Sequence, residues 1–349
     1  MANRYQHRPQ NRWVAWRRLA HILLAGALLL ATGAVNRSAR GAETAFRLKP
    51  DGTVIDQAGR RLTPRAPFRR IISLYGAHTE NLFALGLDAA VIGVSPHEDA
   101  PPAALVKPVF SCRDDPERFL AARPDLVLIR PMVDRAHGQL VHRLEKNGIT
   151  VVSLQPTAAS QLPVYWHILG QLTGRRAAAK VMQARFEAAL AAFRAVAKDI
   201  ETPRRVFFEA MHRQMRTFAP GALAIFALET AGGINVAADA PVRPDNNIAL
   251  YGRERILAHA HEIDLYLAQV GVMNPVTRQQ IFETPGFAVI RAVAAGNVHL
   301  IDEKQVSRPT LRLLEGIATI GRLLYPGRFE TAGPAILARA GLKPEGDSH

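Results

Sequence analysis

Cysteine is almost absent from this chain of 349 residues, which contains Cys112 and no other. An intramolecular disulfide is therefore excluded, and the thiol is interpreted either as a small half-buried residue, the simpler choice, or as a ligand or nucleophile. The motifs of common enzyme classes are also missing, because the sequence has no G-x-S-x-G, no G-x-G-x-x-G and no P-loop. His259 and His261 are two residues apart and cannot form a zincin pair on one helix face. These absences argue against an enzyme.

Acidic residues are fewer than basic ones, and the formal net charge is +14. Seven arginines and no acidic residue lie in residues 1–41, so half of that charge belongs to the N-terminal segment. No basic run with interleaved aromatic residues follows, and nucleic-acid binding is not predicted. A hydrophobic content of 48% is typical of a globular protein with a core, and the length allows one large domain or two of ordinary size.

The N-terminus has the pattern of a targeting segment. Five arginines precede the apolar run Leu19 to Val35, which is short for a membrane span and ends among small residues. The pattern predicts an export signal over residues 1–41, cleaved after Ala34 or Gly41, and a periplasmic location. A retained anchor helix is the alternative. No cysteine lies in this segment, so a lipobox is excluded.

Short apolar segments alternate with helical ones on both sides of one long helical stretch. The first half contains β-branched runs that are typical of buried parallel strands. Residues 175–200 then continue without glycine or proline, which predicts a helix roughly 39 Å long at 1.5 Å per residue. The predicted strands lie at 71–74, 91–94, 126–129 and 149–154 before this helix, and at 205–210, 263–267 and 297–301 after it.

The predicted fold class is α/β, with two parallel-sheet lobes joined by one long α-helix and a ligand cleft between the lobes. A turn at Asp51-Gly52 and another at Ala58-Gly59 predict a β-hairpin before the first lobe. The predicted segments are a signal peptide at 1–41, the hairpin at 46–67, the N-terminal lobe at 68–156, linking helices at 157–202, the C-terminal lobe at 203–330 and a C-terminal tail at 331–349.

An ordered set of motifs lies in the first half. Arg70–Leu74 (RIISL) is followed by Thr79–Gly86 (TENLFALG), then Gly93–Ser95 (GVS), Pro101-Pro102, and Phe119–Ile129 with its Pro-Asp-Leu-Val. In this order and spacing they resemble the substrate-binding proteins of ABC importers for metal chelates, the family that binds iron-siderophores, haem and vitamin B12. The resemblance runs from about residue 50 to about residue 328. It implies a monomeric binding protein with no enzymatic activity and no resident cofactor, whose partner is an ABC permease in the inner membrane.

Two glutamates occupy equivalent positions in the two halves. Glu117 and Glu254 each open a predicted helix that leads into a strand about ten residues later. An acidic residue in a first helical turn stabilises the helix by roughly 0.3–1 kcal/mol, which needs no partner. The resemblance implies a second role, in which one glutamate of each lobe pairs with arginines of the permease.

The ligand is expected between the lobes, where the carboxyl ends of the strands meet. Candidate side chains there are rich in arginine and histidine, and arginine pairs well with carboxylate or catecholate oxygens. This favours an iron-siderophore-like chelate. The alternatives are a corrinoid and, less favoured, an exported enzyme or chelatase on the same fold. The haem sites of the family use a tyrosine where this chain has Phe110–Cys112, and its vitamin B12 sites use several tryptophans, whereas Trp166 is the only one after residue 41.

The ligand candidates come from both lobes. Arg130, Arg213 and Arg308 are expected to converge on an anionic chelate. A bare metal ion held by His78, His97, Glu98 and His212 is a further possibility. The predicted ligand-binding residues are Tyr75, His78, His97, Arg113, Arg130, His212, Arg213 and Arg308.

Overall fold

Three β-sheets organise the part of the chain that the computed structural model describes, residues 46–242 and 246–342. The predicted signal peptide lies outside these residues. The strands are β1 Arg47–Leu48, β2 Val54–Ile55, β3 Arg61–Leu62, β4 Ile71–Ser73, β5 Val91–Gly93, β6 Leu126–Ile129, β7 Thr150–Ser153, β8 Arg205–Met211, β9 Arg216–Phe218, β10 Ile234–Asn235, β11 Ile248–Leu250, β12 Leu265–Val270 and β13 Val298–Asp302.

Helices connect most of these strands, and none of the described helices is long and apolar enough to cross a membrane. The α-helices are α1 Gly76–Ala84, α2 Pro102–Leu105, α3 Pro116–Ala122, α4 Pro131–Ala136, α5 Gly138–Lys146, α6 Leu162–Thr173, α7 Arg176–Ala197, α8 Leu223–Thr230, α9 Arg253–Ala258, α10 Arg278–Phe282, α11 Arg291–Ala294, α12 Glu303–Val306, α13 Leu313–Leu324 and α14 Pro326–Arg339. Single 3₁₀ turns lie at Ala159–Gln161, His212–Gln214 and Phe287–Val289.

The first sheet is antiparallel, with β2 between β1 and β3. The prediction of one hairpin over 46–67 is therefore corrected to three strands, because the chain turns at both Gly52 (φ +84°) and Gly59 (φ +81°). Asp56 attaches this sheet to the next one. Its buried carboxylate accepts a hydrogen bond from the backbone N–H of Ser153 at 2.9 Å, at the end of β7.

The N-terminal lobe contains a parallel sheet in the order β5-β4-β6-β7. Its predicted strands are confirmed, and every residue of β4 and β6 is buried, as expected for strands covered on both faces. Parallel strands need crossover connections, which α1 to α5 provide. The carboxyl ends of the strands therefore share one edge, and Tyr75 and Arg130 follow β4 and β6 there.

Two helices lead from the first lobe to the second. α6 ends at Gly174, which has a φ of +73°, and α7 follows with 22 residues, about 33 Å in length. α7 is shorter at both ends than the predicted 26 residues. Its buried face includes Met182, Phe186 and Phe193, at helical spacing, and packs against α6 and against helices of the second lobe.

The C-terminal lobe has a mixed sheet rather than a purely parallel one. Its central strand β8 pairs in parallel with β10 and β12, and β12 pairs in parallel with β13. Strands β9 and β11 are antiparallel and extend one side of the sheet. The sequence analysis missed β9, β10 and β11, which are two or three residues long.

The predicted C-terminal tail at 331–349 is corrected by α14, which continues the fold to Arg339. Pro326-Gly327 does not end the structured part of the chain; proline stands at the first helical position, where its missing N–H costs nothing. Phe329 is fully buried and stacks on Phe193 of α7, with ring centres 6.2 Å apart. Gly321 allows this approach, since a Cβ there would lie 2.1 Å from the Phe329 ring.

Candidate functional site

Tyr75 and Arg130 come together at the carboxyl edge of the N-terminal sheet. They precede α1 and α4 and follow the paired strands β4 and β6. The guanidinium carbon of Arg130 lies 4.6 Å from the centre of the Tyr75 ring, a cation–π contact between two half-buried side chains. Burial raises the pKa of Tyr75 to about 12, although the charges of Arg130 and Arg308 oppose this shift. The phenol is therefore a hydrogen-bond donor at neutral pH.

His78 was predicted to contact the ligand, but it lies in the protein interior. Its side chain is fully buried, and both ring nitrogens are engaged: Nδ1 with the Tyr165 hydroxyl at 2.6 Å and Nε2 with the carbonyl oxygen of Ile129 at 3.1 Å. Burial lowers the pKa of His78 to about 4, against the opposing effect of the Ile129 carbonyl, so the ring is neutral at neutral pH. The prediction is corrected, because a buried imidazole with two internal partners has no free nitrogen for a ligand.

Arg308 does not join Arg130 as a free cation. Its Nη1 lies 2.7 Å from Glu80 Oε1 and 2.9 Å from Asp99 Oδ1, both in the N-terminal lobe. Its charge is thus compensated by two carboxylates. Arg308 thus offers an anionic chelate a paired cation rather than a free one, and its convergence with Arg130 and Arg213 stays a prediction.

The remaining histidine and arginine candidates differ in their surroundings. His212 donates its backbone N–H to Asn274, and its ring nitrogens contact Glu209 at 2.8 Å and Thr284 at 3.1 Å. Its ring is thus held within the C-terminal lobe. His97 and Arg213 are exposed in the loops after β5 and β8, and His97 has a φ of +64°.

The metal-ion alternative is not supported by the described residues. Among them, no three histidine, cysteine, aspartate or glutamate side chains lie close enough together to hold a metal ion. His78 and His212 use their ring nitrogens inside their own lobes. The proposed set of His78, His97, Glu98 and His212 is therefore not assembled.

Arg113 lies beside the predicted docking residue Glu117. Asp115 begins α3 by accepting a hydrogen bond from the Glu117 N–H at 2.9 Å, and the Glu117 carboxylate lies 2.9 Å from Nη2 of Arg143. These exposed side chains border an open surface groove of about 920 Å³. The groove is lined by Cys112, Arg113, Asp115, Pro116, Glu117, Ala136, His137, Gly138, Gln139, Leu140 and Arg143.

Glu254 has the position in the C-terminal lobe that Glu117 has in the other. It is the second residue of α9, it is exposed, and α9 leads into β12 as α3 leads into β6. The predicted equivalence of the two helix starts is thus confirmed. Their role in docking stays a prediction.

The sequence analysis missed two residues that connect the lobes, Glu80 and Lys304. Lys304 Nζ lies 2.8 Å from Asp99 Oδ2, next to the contacts that Asp99 and Glu80 make with Arg308. One sequence feature could have identified Glu80 as a candidate. It is the only charged residue of α1, in a helix that otherwise packs into the core.

Two α/β lobes, joined through a helix pair and facing each other with polar side chains, define the architecture of a two-lobed binding protein. The chain belongs to the family described as periplasmic binding protein, which matches residues 71–305.

Known relatives agree with this assignment. The chain is 24% identical over 287 residues to an uncharacterized ABC transporter substrate-binding lipoprotein, YvrC, of Bacillus subtilis, covering 80% of this chain and 87% of the relative. It is also 24% identical over 276 residues to a cobalamin-binding protein of Halobacterium salinarum, covering 77% and 73%. A possible iron-binding periplasmic protein of Staphylococcus epidermidis has the same fold, with a TM-score of 0.66 at 23% identity over 74% of this chain and 100% of that one.

Proposed function

We propose that this protein is an extracytoplasmic substrate-binding protein that delivers a metal chelate, iron-siderophore-like, to an ABC permease in the inner membrane. The observation that carries the proposal is membership of the periplasmic binding protein family over residues 71–305. The protein acts as a monomer, binds its ligand reversibly and releases it unchanged, without enzymatic activity.

Tyr75 and Arg130 form the centre of the proposed ligand site. Both follow strand ends at the sheet edge where open α/β folds bind their ligands. The buried Nε of Arg130 has no hydrogen-bond partner among the described residues, while the guanidinium rests on the Tyr75 ring. An oxygen-rich ligand would satisfy both the guanidinium and the phenol. His97 and Arg213 are exposed in neighbouring loops and complete the proposed site.

A corrinoid is the second candidate, and the pairing of Arg308 favours it. With Arg308 neutralised by Glu80 and Asp99, the region between the lobes has fewer free cations than an anionic chelate would need. A curated relative is named a cobalamin-binding protein, and others a vitamin B12-binding protein.

Titrations with a ferric catecholate siderophore, which is an anionic chelate, and with cyanocobalamin separate the two candidates. Arg130→Gln should weaken binding of the siderophore about tenfold or more, because a hydrogen bond to a charged group contributes roughly 1.5–3 kcal/mol and 1.4 kcal/mol is a factor of ten. Arg135→Gln is the matched control, since Arg135 is exposed on helix α4, which begins directly after Arg130. Tight binding of cyanocobalamin that is unaffected by Arg130→Gln would favour the corrinoid.

Permease docking is proposed for Glu117 and Glu254. The double variant Glu117→Ala/Glu254→Ala should reduce uptake of the radiolabelled ligand by cells while leaving its affinity unchanged, since both residues are exposed at helix starts. Glu201→Ala/Glu330→Ala removes two other exposed carboxylates and serves as the control. Loss of ligand affinity in the folded docking variant would place these glutamates in the ligand site instead.

A further inference from the structure

Five charged side chains meet between the two lobes. Glu80 and Asp99 belong to the N-terminal lobe, and Lys304, Arg308 and Arg312 belong to the C-terminal lobe. Arg308 contacts both carboxylates, at 2.7 and 2.9 Å, and Asp99 also contacts Arg312 at 3.1 Å and Lys304 at 2.8 Å. The contacts form a network, because each carboxylate contacts at least two of the cations.

Burial distinguishes this cluster from ordinary surface ion pairs. The side chain of Glu80 is 8% exposed and that of Arg308 17%, whereas both partners of the pair Arg205–Glu262, within the C-terminal lobe, are more than 40% exposed. Exposed ion pairs contribute little to stability, whereas removing one partner of a buried pair is strongly destabilising. Losing one partner of this cluster therefore costs more than losing one partner of the exposed pair Arg205–Glu262.

The backbone at the start of α1 leaves space for the guanidinium of Arg308. A Cβ on Gly76 would lie 3.0 Å from Arg308 Nη1 and 3.3 Å from Glu98 Oε2, so the absence of a side chain at the start of α1 lets the guanidinium approach. Next to Glu80, the side chain of Asn81 donates a hydrogen bond to the carbonyl oxygen of Pro309 at 2.9 Å. Two successive residues of α1 thus contact two successive residues of the opposite lobe.

We propose that Glu80, Asp99, Lys304, Arg308 and Arg312 form an interlobe lock that sets the separation of the two lobes. In this account Arg308 and Arg312 position the lobes on either side of the ligand and do not contact it. Each of the three cations contacts at least one carboxylate of the other lobe, so the lock forms without any ligand. The test of the lock therefore needs no ligand, and a result that refutes the lock would leave the proposed transport function unaffected.

The lobe separation can be measured between two nitroxide labels by pulsed electron paramagnetic resonance. The labels are placed at Lys146→Cys and Ala295→Cys, two exposed positions in opposite lobes, in a Cys112→Ser background. We expect a single narrow distance distribution for the otherwise unchanged protein. Arg308→Gln and Asp99→Asn should each broaden it and move it to longer distances. The double variant Arg308→Gln/Asp99→Asn should change the distance distribution little more than the stronger single variant does, because both substitutions break the same cluster.

A control variant and a milder variant complete the experiment. Arg205→Gln breaks the exposed ion pair within one lobe and should leave the distribution narrow. Lys304→Gln removes only the outer cation and is the milder variant if Arg308→Gln fails to fold. Unaltered distributions in the folded Arg308→Gln, Asp99→Asn and Lys304→Gln proteins would overturn the lock.

Discussion

Asn81 connects three parts of the molecule through one buried side chain. Its Oδ1 accepts a hydrogen bond from the indole N–H of Trp166 at 2.9 Å, and its Nδ2 donates to the carbonyl oxygens of Ala77 at 2.7 Å and Pro309 at 2.9 Å. Asn81→Ala would leave the Trp166 N–H and the Pro309 oxygen without this partner. A buried polar group left unpaired costs about 1–3 kcal/mol, so two of them should lower the free energy of unfolding by about 2–6 kcal/mol.

Urea unfolding, followed by circular dichroism, measures this loss. Asn147→Ala is the matched control, because Asn147 is exposed and its side chain donates to the Arg143 carbonyl at 2.8 Å within one helix end. The control should change the free energy of unfolding by less than about 0.5 kcal/mol, as most surface substitutions do. An Asn81→Ala protein as stable as the control would refute the claim that this side chain joins α1, α6 and the second lobe.

Two further predictions concern packing and pH. Gly93→Ala should destabilise the protein by about 1–3 kcal/mol in urea unfolding, because the new Cβ would lie 2.4 Å from Phe110 in a filled core. Gly138→Ala is the control and should not destabilise it, because no atom lies within 4 Å of the new Cβ. Burial alone would raise the pKa of Asp99, but the hydrogen bonds from Lys304 and Arg312 and the charge of Arg308 lower it to about 2. Since the folded-state pKa lies below the unfolded value of about 3.9, the stability that ionised Asp99 provides should be complete above about pH 4 and lost as the pH falls to about 2. Thermal unfolding of the unchanged protein and of Asp99→Asn should therefore converge over that range, and a constant difference would contradict the ion pairing of Asp99.

Most of the fold could be predicted, because its signals are local in the sequence. The buried strands β4 and β6 are continuous apolar runs, and α7 is a long stretch without glycine or proline. The errors lie where local signals conflict. Pro326-Gly327 does follow the end of α13, as predicted, but Pro326 also begins α14, and the three-residue strands β9 and β11 were missed.

The site was less predictable, because its contacts join distant residues. Arg308 and Glu80 are 228 residues apart, so no spacing rule could indicate that the arginine is already paired. His78 follows a strand end, as a ligand contact would, and only the fold reveals that it faces Tyr165 and the interior. Tyr75 and Arg130 were found because both follow strands at the same sheet edge, which is a topological argument.

Native mass spectrometry of the protein purified from its own periplasm tests the central claim most directly. The account predicts one intact metal chelate for each chain, which leaves with unchanged mass when the protein is denatured. The ligand-free protein should regain one equivalent from added ferric siderophore or cyanocobalamin. Conversion of the bound molecule into a product of different mass would contradict the account. A ligand-free protein that binds neither compound would also contradict it.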